Sequence, residues 1–93
     1  MTRDERDTML VQACLRGDPS AFDELVDRYQ RVLFNVAFRI TGSVDDAMDV
    51  TQSTFVSAYE KLHTFDPTRR FFSWIYRIAS NRALKVVEAR KPL

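Results

Sequence analysis

Helix-breaking residues occur at three interior points of this chain and leave long periodic stretches between them. Gly17 with Pro19, Gly42, and Pro67 separate segments whose apolar residues recur every three or four positions, the period of a buried helical face. No stretch of four or more residues alternates in the way a half-buried strand does. The sequence therefore predicts an all-α fold, a compact bundle of about four helices. The predicted helices span about residues 4–16, from a cap at Asp18 or Ser20 to Thr41, 44–63, and 70–90.

The length and composition fit one globular domain, residues 1–93, with room for one core. The N-terminus is charged and lacks the apolar segment of a secretory signal, and no apolar run is long enough to span a membrane. The single cysteine, Cys14, can form neither an intramolecular disulfide nor a zinc site by itself, and we expect it to pack against the core. These features predict a cytoplasmic protein.

The sequence shows no arrangement typical of an enzyme. His63 is the only histidine, and no nucleophile–base pair, metal-ligand cluster or glycine-rich phosphate loop is evident. His63 falls near the predicted end of the third helix, where a partial positive charge is favourable. We therefore expect no catalytic activity, no metal and no cofactor.

The net charge of +1 conceals an uneven distribution along the chain. Residues 1–59 contain six arginines and ten acidic residues, a net charge of −4, whereas residues 60–93 contain eight basic and three acidic residues, a net charge of +5. A division of this kind indicates that one part of the chain binds a polyanion and the other a different partner.

The fourth predicted helix carries the basic residues on one side. Its core stripe includes Phe71, Phe72 and Ile75, and Arg82 falls within it, where it would snorkel or pair with an acid of the second or third helix. A separate ridge lies to one side of this core stripe on the helix. It carries one indole ring, three cations and one amide, and it contains no acidic residue. This ridge consists of Arg70, Trp74, Arg77, Asn81 and Lys85.

The ridge adjoins a predicted exposed turn with Phe65, Thr68 and Arg69. Cations that neutralise phosphates, beside an aromatic ring that can stack on a base, are what single-stranded nucleic acid binding requires. Asn81 adds a donor and an acceptor for a base edge. The alternative is that Trp74 covers the edge of the core while the arginines are simply solvated.

The third predicted helix has an acidic outward face. Asp45, Asp49, Gln52, Val56 and Glu60 follow one another in steps of three or four. This face is either a solvated helix surface or a docking surface for a basic helix, with Val56 as a small apolar anchor. The inward face is predicted to consist of Val44, Ala47, Met48, Thr51, Phe55, Ala58 and Leu62.

The stretch "DDAMDVTQSTFVSAYEKLHTFDPTRRFFSWIYRIASNRAL", residues 45–84, resembles region 2 of bacterial sigma factors, in the extracytoplasmic-function (ECF) group of the sigma-70 family. Its motifs D-x-x-D-V-T-Q, F-D-P and W-x-Y-R-I-A-x-N occur in order at the family's spacing. The resemblance implies an RNA polymerase sigma factor domain that acts in transcription initiation.

By this resemblance the third helix would dock on the coiled coil of the polymerase β′ clamp, and the turn and fourth helix would bind and melt the minus-ten promoter element through its non-template strand. The implied polymerase-binding residues are Asp45, Asp46, Asp49, Gln52 and Val56. The implied DNA-binding residues are Phe65, Thr68, Arg69, Arg70, Trp74, Arg77, Asn81 and Lys85.

The chain also departs from the family pattern. Met48 and Ser53 replace frequent glutamates, and Arg69 with Arg70 makes the turn more basic than usual. From the 93 residues we expect this chain to lack the family's second DNA-binding domain, a helix-turn-helix, and to be an excised domain rather than a natural short form. The alternative function is a protein-interaction module, held by an anti-sigma factor or self-associating, with little DNA binding of its own.

Overall fold

The computed structural model describes residues 1–90, and the last three residues of the predicted domain lie outside that range. Four α-helices and one short 3₁₀ turn, with no strand among residues 1–90, confirm the all-α prediction. None of these helices is both long and apolar enough to cross a bilayer. The elements are α1 (Arg3–Leu15), α2 (Pro19–Thr41), α3 (Val44–Glu60), the 3₁₀ turn (Leu62–Thr64) and α4 (Phe71–Ala89).

The helix ends lie where the breaking residues predicted them. Asp18 caps α2 by accepting a hydrogen bond from the Ser20 amide, with Pro19 in the first helical position. Gly42 ends α2 at φ 69°, a left-handed conformation that favours glycine, and its N–H donates to the Phe38 carbonyl at 2.7 Å. Ser43 then caps α3. The third helix ends at Glu60 rather than near residue 63, because the chain tightens into the 3₁₀ turn.

The long α2 lies at the centre and packs against each of the other three helices. Large apolar side chains such as Leu25, Leu33 and Ile75 have no exposed surface and fill the main core. The crossings of α2, α3 and α4 also contain small residues with no exposed surface, which allow the helix backbones to approach closely. These residues are Ala37, Ala47, Ala58, Ala79 and Ala83.

A buried polar network attaches α1 to α2. Asp7 is fully buried; its carboxylate accepts a hydrogen bond from the Tyr29 hydroxyl, and its other oxygen lies 3.0 Å from Arg28 Nε. Burial, followed by the hydrogen bond and negative charge of Asp7, raises the pKa of Tyr29 to about 12. Nearer the surface, Arg6 donates two hydrogen bonds to Glu24 at 2.8 and 2.9 Å. The sequence patterns predicted none of these contacts.

The predicted inward face of α3 is wrong at two positions, and one of the two alternatives predicted for Arg82 is not observed. Val44 and Met48 are 54% and 58% exposed, so they do not belong to the inward face of α3. The buried face instead includes Thr54 and Ser57, small residues whose hydroxyls fit a close helix crossing. Arg82 does not pair with an acid within residues 1–90; its guanidinium donates to Ser57 Oγ at 2.9 Å and links α4 to α3.

Candidate nucleic-acid and partner-binding surfaces

The α4 ridge lies on one side of the molecule, as its spacing predicted. Arg70, Arg77, Asn81 and Lys85 are exposed, and Trp74 between them is partly buried. Within the described chain, neither Arg77 nor Lys85 forms an ion pair with a carboxylate. The ridge therefore presents uncompensated positive charge on the C-terminal side of an indole ring, which suits a polyanionic strand with unpaired bases.

Trp74 is held in place by two aromatic rings beneath it. Its indole lies 5.3 Å from the Phe65 ring and 5.8 Å from the Phe71 ring, measured between centroids. Phe65 and Phe71 in turn meet edge to face at 5.6 Å. One part of the indole thus packs on the core, which fixes its orientation, and the rest remains accessible.

The prediction that Phe65 is exposed in the turn is wrong. Its side chain is only 6% exposed and belongs to the main core. The backbone carries it inward from the end of the 3₁₀ turn, so its ring supports Trp74 from below instead of facing a ligand. Phe65 could stack on a base only by leaving the core.

The turn between the 3₁₀ element and α4 is organised by Asp66. One carboxylate oxygen accepts hydrogen bonds from the Thr68 amide at 2.9 Å and the Thr68 hydroxyl at 2.7 Å. The other lies 3.7 Å from Arg69 Nε. These hydrogen bonds, and to a lesser degree the Arg69 charge, hold the pKa of Asp66 below its usual value. Thr68 and Arg69 are exposed, but their side chains already have an internal partner.

A second internal carboxylate reaches the basic turn from α1. Asp4 Oδ2 lies 3.3 Å from Arg70 Nε, and both side chains remain substantially exposed. The two consecutive arginines of the turn therefore differ from Arg77 and Lys85, because each has an acidic neighbour within the molecule.

The α3 face is exposed at four of its five predicted docking positions. Asp45, Asp49, Gln52 and Val56 point outward, and Val56 is 54% exposed. The fifth, Asp46, is half-buried and forms an ion pair with Arg90 at the end of α4.

An apolar groove of about 940 Å³ runs between α2 and α3 beside this acidic face. Asp49, Gln52, Val56 and Glu60 form its α3 rim, and Arg31 reaches it from α2. Its apolar surface was not predicted as a site, because these residues follow the same spacing as the core stripe and lie where the two helices diverge. That surface is formed by Phe22, Val26, Phe34, Met48, Phe55 and Tyr59.

The groove is shaped by aromatic packing at one end. The Phe22 ring meets the Tyr59 ring edge to face at 5.1 Å and the Phe55 ring at 6.4 Å. Met48 and Tyr59, which are 58% and 56% exposed, form an accessible apolar surface next to carboxylates. Exposed apolar side chains rimmed by charge are typical of a surface that binds another protein.

No cluster of metal-ligating side chains is present in the part of the chain that the structure describes. Cys14 is half-buried beside the core, and burial raises the pKa of its thiol. The two surfaces above are assembled from helix faces: α4 presents cations beside an aromatic ring, and α3 presents carboxylates beside apolar side chains.

The family model for sigma-70 region 2 matches residues 25–92. The chain is 36% identical to the ECF RNA polymerase sigma factor SigW of Bacillus subtilis, over 88% of this chain and 44% of that protein. It is 39% identical to the RNA polymerase sigma-H factor of Pseudomonas aeruginosa, over 97% of this chain and 47% of that protein. The chain thus spans about half the length of the curated relatives it matches.

Two solved structures are similar over most of the chain. An NMR structure of an engineered region 2 of sigmaE in complex with GTAAAA has a TM-score of 0.84 and 39% identity, and the match covers 97% of this chain and 94% of that one. The structure of CnrH in complex with the cytosolic domain of CnrY has a TM-score of 0.83 and 34% identity, over 92% of this chain and 56% of CnrH.

Proposed function

This chain belongs to the sigma-70 region 2 family, in the ECF group, and we propose that it docks on core RNA polymerase and binds the minus-ten promoter element as an unpaired non-template strand. The observation that carries the proposal is the α4 ridge, where two exposed cations without an ion pair, Arg77 and Lys85, follow a fixed indole on the same face. The similar region 2 of sigmaE was solved in complex with GTAAAA, which supports a nucleic-acid ligand for this chain.

On the α4 ridge, each residue type has a distinct physical role. Arg77 and Lys85 neutralise phosphates, Trp74 stacks on a base, and Asn81 reads a base edge with its amide. Thr68 and Arg69 contribute from the turn once a strand displaces their contacts with Asp66. Phe65 contributes indirectly, since its buried ring holds Trp74 in place.

Strand opening follows from preferential binding and needs no chemical step. A closed duplex cannot offer an unstacked base to the ridge, so the open strand binds more tightly and the equilibrium shifts towards it. Turning one base out of the stack costs a few kcal/mol, which stacking on Trp74 and neutralisation of phosphates offset. The domain is therefore proposed as a binding protein and not as an enzyme.

The polymerase partner is proposed to dock along α3 and the adjoining groove. Asp45, Asp49 and Gln52 supply charge and hydrogen bonding for a basic helix, and Val56 extends the apolar surface of the groove beside them. The β′ clamp coiled coil is the partner implied by family membership. Asp46 is proposed to act from within the fold, because Arg90 already neutralises its carboxylate.

The nucleic-acid proposal is tested by fluorescence anisotropy with a labelled single strand containing GTAAAA. Asn81→Ala is expected to weaken binding by about 5- to 150-fold, the equivalent of about 1–3 kcal/mol for a base-edge contact. Lys85→Ala is expected to weaken the binding of all strand sequences about equally and to reduce the salt dependence of binding. The matched controls are Asn35→Ala on α2 and Lys61→Ala at the end of α3, both exposed and outside the ridge. Unchanged affinity in both ridge variants would refute this role.

The docking proposal is tested by measuring affinity for core RNA polymerase. Val56→Glu places a charge on the rim of the apolar groove and is expected to weaken binding at least about tenfold, since such a contact desolvates the side chain. Leu15→Glu at the end of α1, where Leu15 is 53% exposed, is the matched control and should leave binding unchanged. Equal binding by the two variants would contradict docking at this groove.

A second candidate function is an interaction module held by an inhibitory protein. The similar protein CnrH was solved in complex with the cytosolic domain of CnrY. In this chain, the exposed apolar side chains of the α2–α3 groove are suited to contact with a protein. If this function dominates, affinity purification will recover a protein partner while the isolated domain binds GTAAAA only feebly. Loss of that partner with Val56→Glu would place it at the groove.

A further inference from the structure

The acidic first turn of α1 lies beside the basic turn that precedes α4. Asp4 Oδ2 is 3.3 Å from Arg70 Nε, and a shallow depression of about 330 Å³ separates the two elements. A carboxylate and a phosphate oxygen bind the guanidinium fork in the same way, so Asp4 occupies a donor that a strand phosphate would use. The depression is lined by Asp4, Glu5, Thr8, Pro67, Thr68, Arg69 and Arg70.

Asp4 is held close to Arg70 by the attachment of α1. Thr2 and Glu5 form a capping box that fixes the first turn of the helix, and Arg6 donates two hydrogen bonds to Glu24 on α2. The next residue, Asp7, is fully buried in its network with Tyr29. The backbone at Asp4 therefore cannot withdraw from the turn without unwinding the start of α1.

We propose that Asp4 is a built-in competitor for the phosphate at Arg70 and that it lowers the affinity of the domain for nucleic acid. The inference rests on the proposed function of the α4 ridge. Arg77 and Lys85 have no carboxylate partner among residues 1–90, so they are free to attract a strand, whereas Asp4 partly neutralises the Arg70 charge and competes with a phosphate for its Nε. Asp4 thereby weakens the contact of the strand with the turn at Arg70, while the contacts of the strand with Arg77 and Lys85 along α4 are unaffected.

Asp4→Asn removes the competing charge and keeps the size of the side chain. An exposed ion pair of this kind is worth up to about 1 kcal/mol, so affinity for a labelled single strand containing GTAAAA should rise about two- to fivefold. The slope of log affinity against log salt should become steeper by up to about 0.7, the contribution of one added phosphate contact to a single strand. The gain should be largest at low salt, where screening is weakest.

The chain supplies a charge-matched control in Asp23→Asn. Asp23 is an exposed acid on α2, outside both proposed binding surfaces, and it forms no ion pair among residues 1–90. The two substitutions change the net charge equally. Only Asp4→Asn should raise affinity beyond the small effect of net charge.

A double substitution separates the pair from a general field effect. In an Arg70→Ala background, Asp4→Asn should no longer raise the affinity or steepen the salt dependence, because the donor it releases is missing. Circular dichroism of each variant establishes that α1 is still folded. Retention of the full gain without Arg70 would overturn the pairing mechanism.

The outcomes distinguish this inference from the proposed function. If Asn81→Ala and Lys85→Ala weaken binding but Asp4→Asn leaves it unchanged or lowers it, the competitor role is wrong and the ridge still binds the strand. If the ridge variants also have no effect, the proposed function fails. An equal rise with Asp4→Asn and Asp23→Asn would mean that net charge alone acts, and would likewise overturn the inference.

Discussion

Truncation of Trp74 to alanine tests the central contact of the α4 ridge, and the structure allows two separate effects to be worked out. The first is on binding. A base stacked on an aromatic side chain contributes about 1–3 kcal/mol, so Trp74→Ala should weaken binding of a GTAAAA strand by about 5- to 150-fold. Because stacking releases no counterions, the slope of log affinity against log salt should stay unchanged.

The second effect is on stability. The buried part of the indole packs on Phe65 and Phe71, with centroids 5.3 and 5.8 Å away. If the indole were fully buried, Trp74→Ala would lower the free energy of unfolding by about 3–5 kcal/mol. Because Trp74 is partly exposed, we expect the free energy of unfolding to fall by about 2–3 kcal/mol. Small domains have a free energy of unfolding of about 5–15 kcal/mol, so the variant should remain folded at room temperature.

Urea denaturation and anisotropy must therefore be measured on the same preparation. Tyr76→Ala is the matched control, since Tyr76 is a 41% exposed aromatic residue of α4 that lies off the ridge and contacts Phe72. Arg77→Ala provides the contrast, with weaker binding and a slope about 0.7 shallower. A folded Trp74→Ala protein with unchanged affinity, or one whose loss vanishes at high salt, would refute the stacking argument.

Further predictions concern the network that holds α1 and the turns. Asp7→Ala leaves Arg28 and the Tyr29 hydroxyl without their buried partner and should lower the free energy of unfolding by about 3–5 kcal/mol in urea denaturation. The pKa of Tyr29 is about 12 in the folded domain, against about 10 in the unfolded chain, so the unfolded chain loses its phenol proton at lower pH. The free energy of unfolding should therefore fall by on the order of 2 kcal/mol between pH 10 and 12. Tyr29→Phe should not show this fall. Gly42→Ala should cost about 1 kcal/mol in thermal unfolding, because φ there is 69°.

The helical period was enough to predict the α4 ridge, because residues three and four apart share a face however the helix packs. It could not predict the direction of Phe65, which follows a 3₁₀ turn and whose orientation depends on tertiary packing. The helical period also could not predict which apolar residues of α3 face the core and which face the groove. Met48 is apolar yet exposed, and Ser57 is polar yet buried, because the close helix crossing selects small side chains over apolar ones.

The docking groove and the α1 attachment also depend on information beyond a single helix. The groove exists because α2 and α3 diverge along one side, which no repeat within either segment encodes. No sequence pattern distinguishes Asp7 from the other acids near the N-terminus, and its burial depends on its contact with Tyr29, twenty-two residues later. The charge division along the chain distinguished an acidic part from a basic part, but it assigned Asp4 no contact with the basic turn.

The alanines at the helix crossings have a consequence for how the two surfaces could diversify. Methyl groups such as those of Ala58 and Ala79 act as spacers that fix the offset between α3 and α4, whereas the outer positions of both helices are unconstrained by packing. Substitutions of single surface residues can thus change the recognition of either proposed ligand while the helix packing stays the same. A larger side chain at this position, as in Ala58→Leu, would instead shift α3 relative to α4 and so displace one surface from the other. Each proposed ligand could then still bind alone, but simultaneous binding of both would be weakened.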